Sequence, residues 1–553
     1  MPLKCVIFTQ SDDADAVFTL VSRLNAGGAG RVTAVMQEVP EAGFALRASR
    51  HIKKYGPFSL AYKTAGLAAG KILAAAARVN FATLRLAGKE RPGDLAGRCA
   101  QEKLSFLRTA GFSSADSIAF LKGLGPDLGI VYGTGILKKD FFSVPRLGSI
   151  NIHKRKLPDY RGGGAVGLWE LLAGEKEIGI TVHKVSEKLD QGEIVAETAV
   201  PIHEGDTLVS LKLKADLAGD ELITRAAGLL AAGAPCRPQV PGAGRLYRDP
   251  SPALFSYYKA LLCFRRLSRR GPDLKEILKR ALKVAYLYGS LTPLRALLAR
   301  LRGRAPIIIF YGHLVSDRSH YMAIRTEPFS KYLSHLQRHY SVIPLAEAVR
   351  RVRAGRNYEP AVVLTFDDGY AENMANLRAG LYGTAIKAAF FISSGYIGSG
   401  GDFPHDAAKG AAGFPAFSWE DVALLKSEGH EICSHTQSHV RCSRPEELPE
   451  IGRSRLEIEA RLKSPVRYFS FPWGKKKDIL PAAFEEVRAS GYEAAFLADS
   501  GDAMDHSGDL FGIERTPLPV SGSLIDLEAV IYGWNEVAKL KERILKYLSR
   551  SAK

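Results

Sequence analysis

A two-part α/β protein is the architecture this chain predicts, and three observations predict it. Short apolar runs alternate with helical spacings over residues 1–250, the same alternation resumes over 305–553, and a basic stretch separates the two at 251–304. At 553 residues the chain exceeds the length at which one hydrophobic core keeps growing, so two cores are expected. In the first part Lys4–Phe8 reads as a strand, Asp13–Leu24 as a helix with Val17, Phe18, Val21 and Leu24 on one face, and Arg31–Met36 as a second strand. Leu128–Val131 and Gly148–Ile152 follow as strands, and Ile178–Val185 with Glu193–Val200 reads as an edge hairpin. Such a mainly parallel sheet gathers its functional groups at strand carboxyl ends. In the second part Pro306–Phe310, Ala361–Thr365, Ala388–Ile392 and Tyr468–Phe471 repeat a strand-then-helix unit, which fits a barrel-like sheet with its chemistry on the loops after the strands.

Composition narrows the function classes. A hydrophobic fraction of 46% with 24% charged residues is that of a folded globular chain. The six cysteines, Cys5, Cys99, Cys236, Cys263, Cys433 and Cys442, include no Cys-x-x-Cys pair, which argues for reduced thiols rather than a disulfide scaffold or a thiolate zinc site. The first apolar run is too short for a signal peptide, so a cytoplasmic protein is expected. Thr64–Phe81, the most apolar stretch, is interrupted by Lys71 and Arg78 and reads as a packed helix.

Much of the formal charge of +18 is local: between Lys259 and Arg304 thirteen Lys or Arg face only Asp273 and Glu276. This connector is helical in pattern, broken at Gly271-Pro272 and Thr292-Pro293. Leu274, Ile277, Leu278, Ala281, Leu282 and Ala285 share a face, with Lys275, Lys279, Arg280 and Lys283 around it. A helix packed on one domain with its charges solvated is the first reading. Peripheral membrane contact through anionic lipid, or attraction of a phosphorylated substrate, is the second. Nucleic acid ranks last, because no recognition signature accompanies the charge.

Chemistry concentrates in two constellations. In the first, Asn151 and His153 end a strand two residues apart and therefore share a face. Acyl transfer to an amine needs a proton acceptor and donors for a developing oxyanion, roles that His, Asp and Asn supply. Alone, an Asn-x-His pair equally describes a loop cap and a satisfied histidine. Within its surroundings it is far more specific: NIHKRKLPDYRGGGA from Asn151, GEKEIGITVHKVSEKLDQGEI from Gly174, and PDLGIVYGTGILKKDFF from Pro126 resemble the formyltransferase family that uses 10-formyltetrahydrofolate. The likeness spans about residues 95–250. It implies a Rossmann-like formyltransferase fold, Asn151, His153 and Asp190 as catalytic trio, and Tyr132, Gly133, Gly135, Ile136 and Leu137 on the folate side. One departure bears on the acceptor. Members acting on purine precursors or initiator tRNA usually carry Ser-Leu-Leu-Pro where this chain has Lys154-Arg155-Lys156-Leu157-Pro158. The tRNA branch also adds a C-terminal domain where only Arg245–Arg248 precedes the connector. An amino sugar, nucleotide- or lipid-linked, is the better-fitting acceptor.

In the second constellation Thr365-Phe366-Asp367-Asp368-Gly369-Tyr370 ends a strand, and Ser434-His435-Thr436-Gln437-Ser438-His439 lies downstream. Two imidazoles at i and i+4 plus a carboxylate make a three-ligand set with coordination positions left open, and the second carboxylate is free to take a proton from water. Together with Phe310-Tyr311-Gly312-His313, Phe390-Phe391-Ile392 and Gly429–His435, these motifs resemble the polysaccharide deacetylase family over roughly residues 305–520. The resemblance implies a distorted (β/α) barrel, Asp367 as general base, and Asp368, His435 and His439 holding a divalent metal, zinc foremost. Phe469–Gly474 matches the family's third motif, whose backbone borders the oxyanion. Many members carry an arginine where Ser470 stands and a late Leu-x-His that supplies a general acid; here the late segment reads Ile513-Glu514-Arg515-Thr516-Pro517.

A hydrolase that frees an amine beside a transferase that needs one predicts a bifunctional enzyme of amino-sugar modification, acting on amino or N-acetyl sugars. The alternatives are a formyltransferase with a deformylase or a non-catalytic saccharide-binding second domain, or a variant methionyl-tRNA formyltransferase.

Overall fold

The structure, a computed structural model, describes residues 2–39, 94–240, 242–250, 255–258, 274–289, 298–506 and 508–534. The helix expected over Thr64–Phe81 and the connector breaks at 271–272 and 292–293 lie outside the described residues, as does Cys263; the other five cysteines are free thiols. No helix among the described residues is long and apolar enough to cross a membrane. The chain divides into two compact units, the first formed mainly by residues up to 270 and the second mainly by those from 271 onward.

The first unit contains β1 (Leu3–Thr9), β2 (Gly30–Glu38), β3 (Ser105–Thr109), β4 (Leu128–Tyr132), β5 (Ser149–His153), β6 (Tyr160–Gly162), β7 (Glu177–Lys184), β8 (Ile194–Pro201) and β9 (Arg245–Tyr247). Seven of these form one sheet in the order β3-β2-β1-β4-β5-β7-β8. It is parallel from β3 to β5 and closes with the antiparallel β7–β8 hairpin. The order turns back between β1 and β4, the crevice where open α/β sheets place ligands. Both faces are covered. Val17, Val21 and Leu24 of the helix Ala14–Ala26 and Leu222 and Ala226 of the helix Leu208–Ala231 pack on one side; Phe112, Leu121 and Phe141 pack on the other. The first helix begins where sequence places it, because Asp13 accepts from the Ala16 N–H as its N-cap.

The second unit carries β10 (Ile307–Gly312), β11 (Leu314–Val315), β12 (Ala323–Ile324), β13 (Ser341–Val342), β14 (Ala361–Asp368), β15 (Ala389–Ile392), β16 (Glu431–Ser434), β17 (Tyr468–Ser470), β18 (Ala494–Leu497), β19 (Ile513–Glu514) and β20 (Thr516–Pro517). Its main sheet runs β19-β18-β17-β16-β15-β14-β10-β20, parallel throughout. The two ends, β19 and β20, are separated in sequence by Arg515 alone, so the sheet curls into a nearly closed barrel with that residue at the joint. Strand alternation sorts the core: Ile307, Ile309, Val363, Phe391 and Phe496 form one cluster, while Ile308, Phe310, Val362, Leu364 and Phe390 pack with helix residues such as Phe329, Leu425 and Ile458.

The connector helix Leu274–Gly289 packs on the helix Leu524–Ile531 with a different side from the one its apolar spacing suggests. Lys283 pairs with Asp526 at 2.7 Å, the Tyr286 hydroxyl donates to the Tyr532 carbonyl at 2.7 Å, and Leu287 is buried. Leu278 and Leu282 remain 61% and 53% exposed. The mostly buried Asp526 carboxylate thereby gains a counter-charge.

Candidate active sites

The first site lies at the carboxyl ends of β4 and β5. Tyr132 ends β4, and Gly133 turns the chain at φ +68°, its carbonyl accepting from the Gln10 N–H at 3.2 Å. The loop through Gly135 then divides, Leu137 entering the core and Ile136 standing 82% exposed. On β5, Asn151 and His153 face β7 in antiparallel register, Asn151 opposite His183. The Asn151 amide donates to His183 Nε2 at 3.2 Å, and His183 Nδ1–H donates to the Lys184 carbonyl at 2.9 Å. His153 Nε2–H donates to the Tyr160 carbonyl at 2.7 Å, which leaves its Nδ1 lone pair free to accept a proton.

Asp190 completes the group from a left-handed backbone conformation, φ +55°, on the turn between β7 and β8. Its Oδ2 accepts from the Gly162 N–H at 2.9 Å; its Oδ1 lies 3.8 Å from His153 Nδ1 and 3.7 Å from His183 Nε2. Burial pushes both imidazoles below the ordinary histidine range, with Asp190 opposing, so both are held as neutral bases. The three residues expected to act together thus converge, and His183 joins them. Its place inside the quoted TVHKV run carries no signal without the β5–β7 register. Within the Lys154-Arg155-Lys156 departure, Lys154 pairs with Asp216, Arg155 is buried with Nη2 donating to the Ala165 carbonyl at 3.1 Å, and Lys156 is exposed.

The second site sits at the barrel mouth. Ala361, Val363, Thr365 and Asp367 alternate onto one face of β14, and Asp368 ends the strand at φ +69°, outside the regular extended conformation. His435 follows β16, and left-handed residues Thr436 (φ +61°) and His439 (φ +59°) fold the loop so that the two imidazoles meet with ring centroids 5.1 Å apart. The fold juxtaposes this i, i+4 pair without a helix. Asp368 Oδ1 stands 3.1 Å from His439 Nε2 and 3.7 Å from His435 Nε2, and donor atoms of all three lie within 4.8 Å of one another.

This donor set fits a cation. Both Asp368 oxygens are buried without a hydrogen-bond partner, and His435 Nδ1–H donates to the Ser470 carbonyl at 2.7 Å, which orients the ring with Nε2 toward the carboxylate. Burial pushes His435 down to about 4, so the ring stays neutral and able to coordinate. Burial alone raises Asp368, yet the surrounding histidines outweigh it and hold the carboxyl far below its usual range.

Asp367 is bound differently. Arg515 grips it with Nη1 on Oδ1 and Nη2 on Oδ2, both at 2.7 Å. Burial raises Asp367, but the Arg515 charge, followed by His435, brings it below the usual carboxylate range. Another residue not expected at the site is His405, whose Nε2 lies 3.6 Å from Asp368 Oδ2. The Tyr370 hydroxyl donates to Asp406 at 2.8 Å, so His405 Nε2–H donates to Tyr370 at 2.9 Å. Trp473, half-exposed at φ +62°, borders His439 at 5.7 Å between ring centroids. No spacing rule reaches His405, which lies on the one-turn helix Pro404–Ala407 between β15 and β16.

A formyl transferase family model matches residues 80–227 and a polysaccharide deacetylase model matches residues 354–495. The bifunctional polymyxin resistance protein ArnA of Wigglesworthia glossinidia brevipalpis is 40% identical over 98 residues, 18% of this chain and 15% of that protein. The methionyl-tRNA formyltransferase of Enterococcus faecalis is 32% identical over 134 residues, 24% of this chain and 42% of that one. The chain therefore spans less than half the length of these relatives. Among solved structures, IcaB from Ammonifex degensii aligns with 20% identity and a TM-score of 0.36 over 41% of this chain and 97% of its own. The chain thus carries a region that matches the formyl transferase family model followed by one that matches the polysaccharide deacetylase model.

Proposed function

We propose that the chain is a bifunctional enzyme of amino-sugar modification, formylating a sugar amine from 10-formyltetrahydrofolate at its first site and hydrolysing an N-acyl sugar amide at its second. The observation that carries this reading is that one chain holds both a neutral, buried proton acceptor beside a carboxylate and a carboxylate-histidine set whose donor atoms lie close enough to share one cation.

In the first reaction the amine attacks the formyl carbon and His153 Nδ1 takes its proton; Asp190, 3.8 Å away, then stabilises the imidazolium. One Asn151 N–H is engaged by His183, and the other is left for the developing oxyanion. The new N–C bond forms as the bond from the formyl carbon to the folate nitrogen breaks, and the His153 imidazolium returns its proton to that nitrogen. Tyr132, Gly133, Gly135, Ile136 and Leu137 lie on the side of the formyl donor.

In the second reaction Asp368, His435 and His439 would hold a divalent metal, zinc foremost. When bound, such an ion supplies positive charge at the developing oxyanion and acidifies water. Asp367 takes the proton of the attacking water. Because Arg515 makes Asp367 a weak base, the proton is readily passed on to the leaving amine as the C–N bond breaks. The same steps apply to acetyl and formyl amides. The test is incubation with formyltetrahydrofolate and a panel of nucleotide- and lipid-linked amino, N-acetyl and N-formyl sugars, with products read by mass spectrometry. Gain of a formyl group and loss of an acyl group are the expected results; a panel left unchanged by one site sinks that half.

A further inference from the structure

The two departures at the hydrolase site, serine at 470 and arginine at 515, occupy one volume. Arg515 stands at the barrel joint between β19 and β20, fully buried, with its guanidinium carbon 4.8 Å from the Phe391 ring centroid and 5.2 Å from that of Tyr311. All five of its N–H groups are engaged. Nη1 donates to Thr365 Oγ1 at 3.0 Å and Asp367 Oδ1 at 2.7 Å; Nη2 donates to Asp367 Oδ2 at 2.7 Å and Ser470 Oγ at 2.5 Å; Nε donates to the Leu497 carbonyl at 3.4 Å. No donor is left for substrate, and a guanidinium yields no proton at working pH, so Arg515 acts through Asp367 and cannot serve as the proton donor. The bidentate grip fixes the plane of the carboxylate, leaving it one orientation toward the mouth. Only a side chain as small as serine at 470 leaves room for this. An arginine there would bring a second guanidinium into the space beside Asp367 that the Arg515 guanidinium fills.

We propose that Arg515 is the positioning residue of the hydrolase, a guanidinium delivered to Asp367 from the barrel joint in exchange for one at position 470, and that Ser470 and Arg515 form a reciprocal pair. The inference rests on the hydrolase reading above. It predicts that the guanidinium can be moved back: Ser470→Arg combined with Arg515→Ser restores a cation beside Asp367 from the carboxyl end of β17.

The experiment compares wild type, Arg515→Lys, Arg515→Ser and the Ser470→Arg/Arg515→Ser double variant as full-length, zinc-loaded protein. Acetate release from an N-acetylglucosamine oligosaccharide, zinc content and thermal unfolding are measured on each preparation. Arg515→Lys keeps the charge but loses the fork; its kcat should fall about a hundredfold with KM and zinc content nearly unchanged, the signature of a misaligned base. The double variant should recover at least about tenfold over Arg515→Ser. An arginine needed only to close the barrel would not be replaced from position 470, so a folded, zinc-loaded double variant without recovery overturns the inference. So does an Arg515→Lys variant with wild-type kcat. A wild type that releases no acetate overturns the hydrolase reading instead.

Discussion

The two sites solve the same problem, a proton acceptor buried in a protein, in opposite ways. At the first, burial drives His153 and His183 toward neutrality and their hydrogen bonds go to backbone carbonyls; the one carboxylate, Asp190, stays 3.7–3.8 Å from either ring. At the second, two buried carboxylates are held below the usual carboxylate range, Asp367 by the Arg515 guanidinium and Asp368 among the histidines of a donor set that fits a cation. Neutral bases tolerate a gap that substrate fills on binding. Buried charges do not, because each unpaired one costs several kcal/mol. The first site is therefore assembled loosely, and the second tightly.

The largest expected effect breaks the comparison at its charged end. Asp368→Asn removes one of three donors and should empty the metal site, taking hydrolysis to background and leaving formyl transfer at the wild-type rate. Asp367→Asn should keep the metal and lose hydrolysis by about a hundredfold to ten-thousandfold. Metal analysis and turnover on the same preparations check both; retained metal in Asp368→Asn with an empty site in Asp367→Asn swaps the two roles. Chelation should mimic the first variant. Formyl transfer that fell with the chelated metal would contradict the separation of the sites.

His153→Ala should lower formyl transfer by about a hundredfold or more while hydrolysis continues. His183→Phe keeps the ring volume but removes the acceptor for Asn151, and a smaller loss, about tenfold, is expected from a misaligned amide. Equal losses from the two would make His183 a full partner in the chemistry.

Proton binding sharpens the contrast. Burial disfavours the imidazolium of His153, so its titration midpoint should lie below 6.5 and the neutral acceptor should persist as pH falls through that value. NMR titration of the ring, assigned with His153→Gln, reads this directly; a midpoint above 6.5 would mean that Asp190 dominates over desolvation.

The smallest effect concerns the connector helix. Lys283→Ala should destabilise the second unit by about 1–2 kcal/mol, because Asp526 loses a partly buried partner, whereas Leu278→Ala on the exposed side should change stability by less than about 0.5 kcal/mol. Denaturant unfolding of the two variants measures the difference, and a reversal would place the apolar side against the domain.

Much of this was legible in the chain. Strand runs such as Lys4–Phe8 and Ala361–Thr365, the hairpin over 178–200, and the Asn151/His153 pair follow from local periodicity, since residues two apart on one strand share a face by geometry alone. The trio of Asn151, His153 and Asp190, the five folate-side positions and the three-donor set came from motif resemblance, which places residues without saying how they touch.

Tertiary structure decided the contacts that no period encodes. His183 meets Asn151 through the β5–β7 register; His405 reaches Asp368 from a one-turn helix between β15 and β16; Arg515 closes on Asp367 across 148 positions of sequence. The connector helix packs with Lys283 on Asp526 and leaves Leu278 and Leu282 of its apolar stripe exposed. Local sequence determines which face a side chain takes on its own element, because that is set by backbone repeat. Which distant group it finds there depends on sheet order and barrel closure, and a buried charge, unable to remain unpaired, selects the partner that the fold brings within reach.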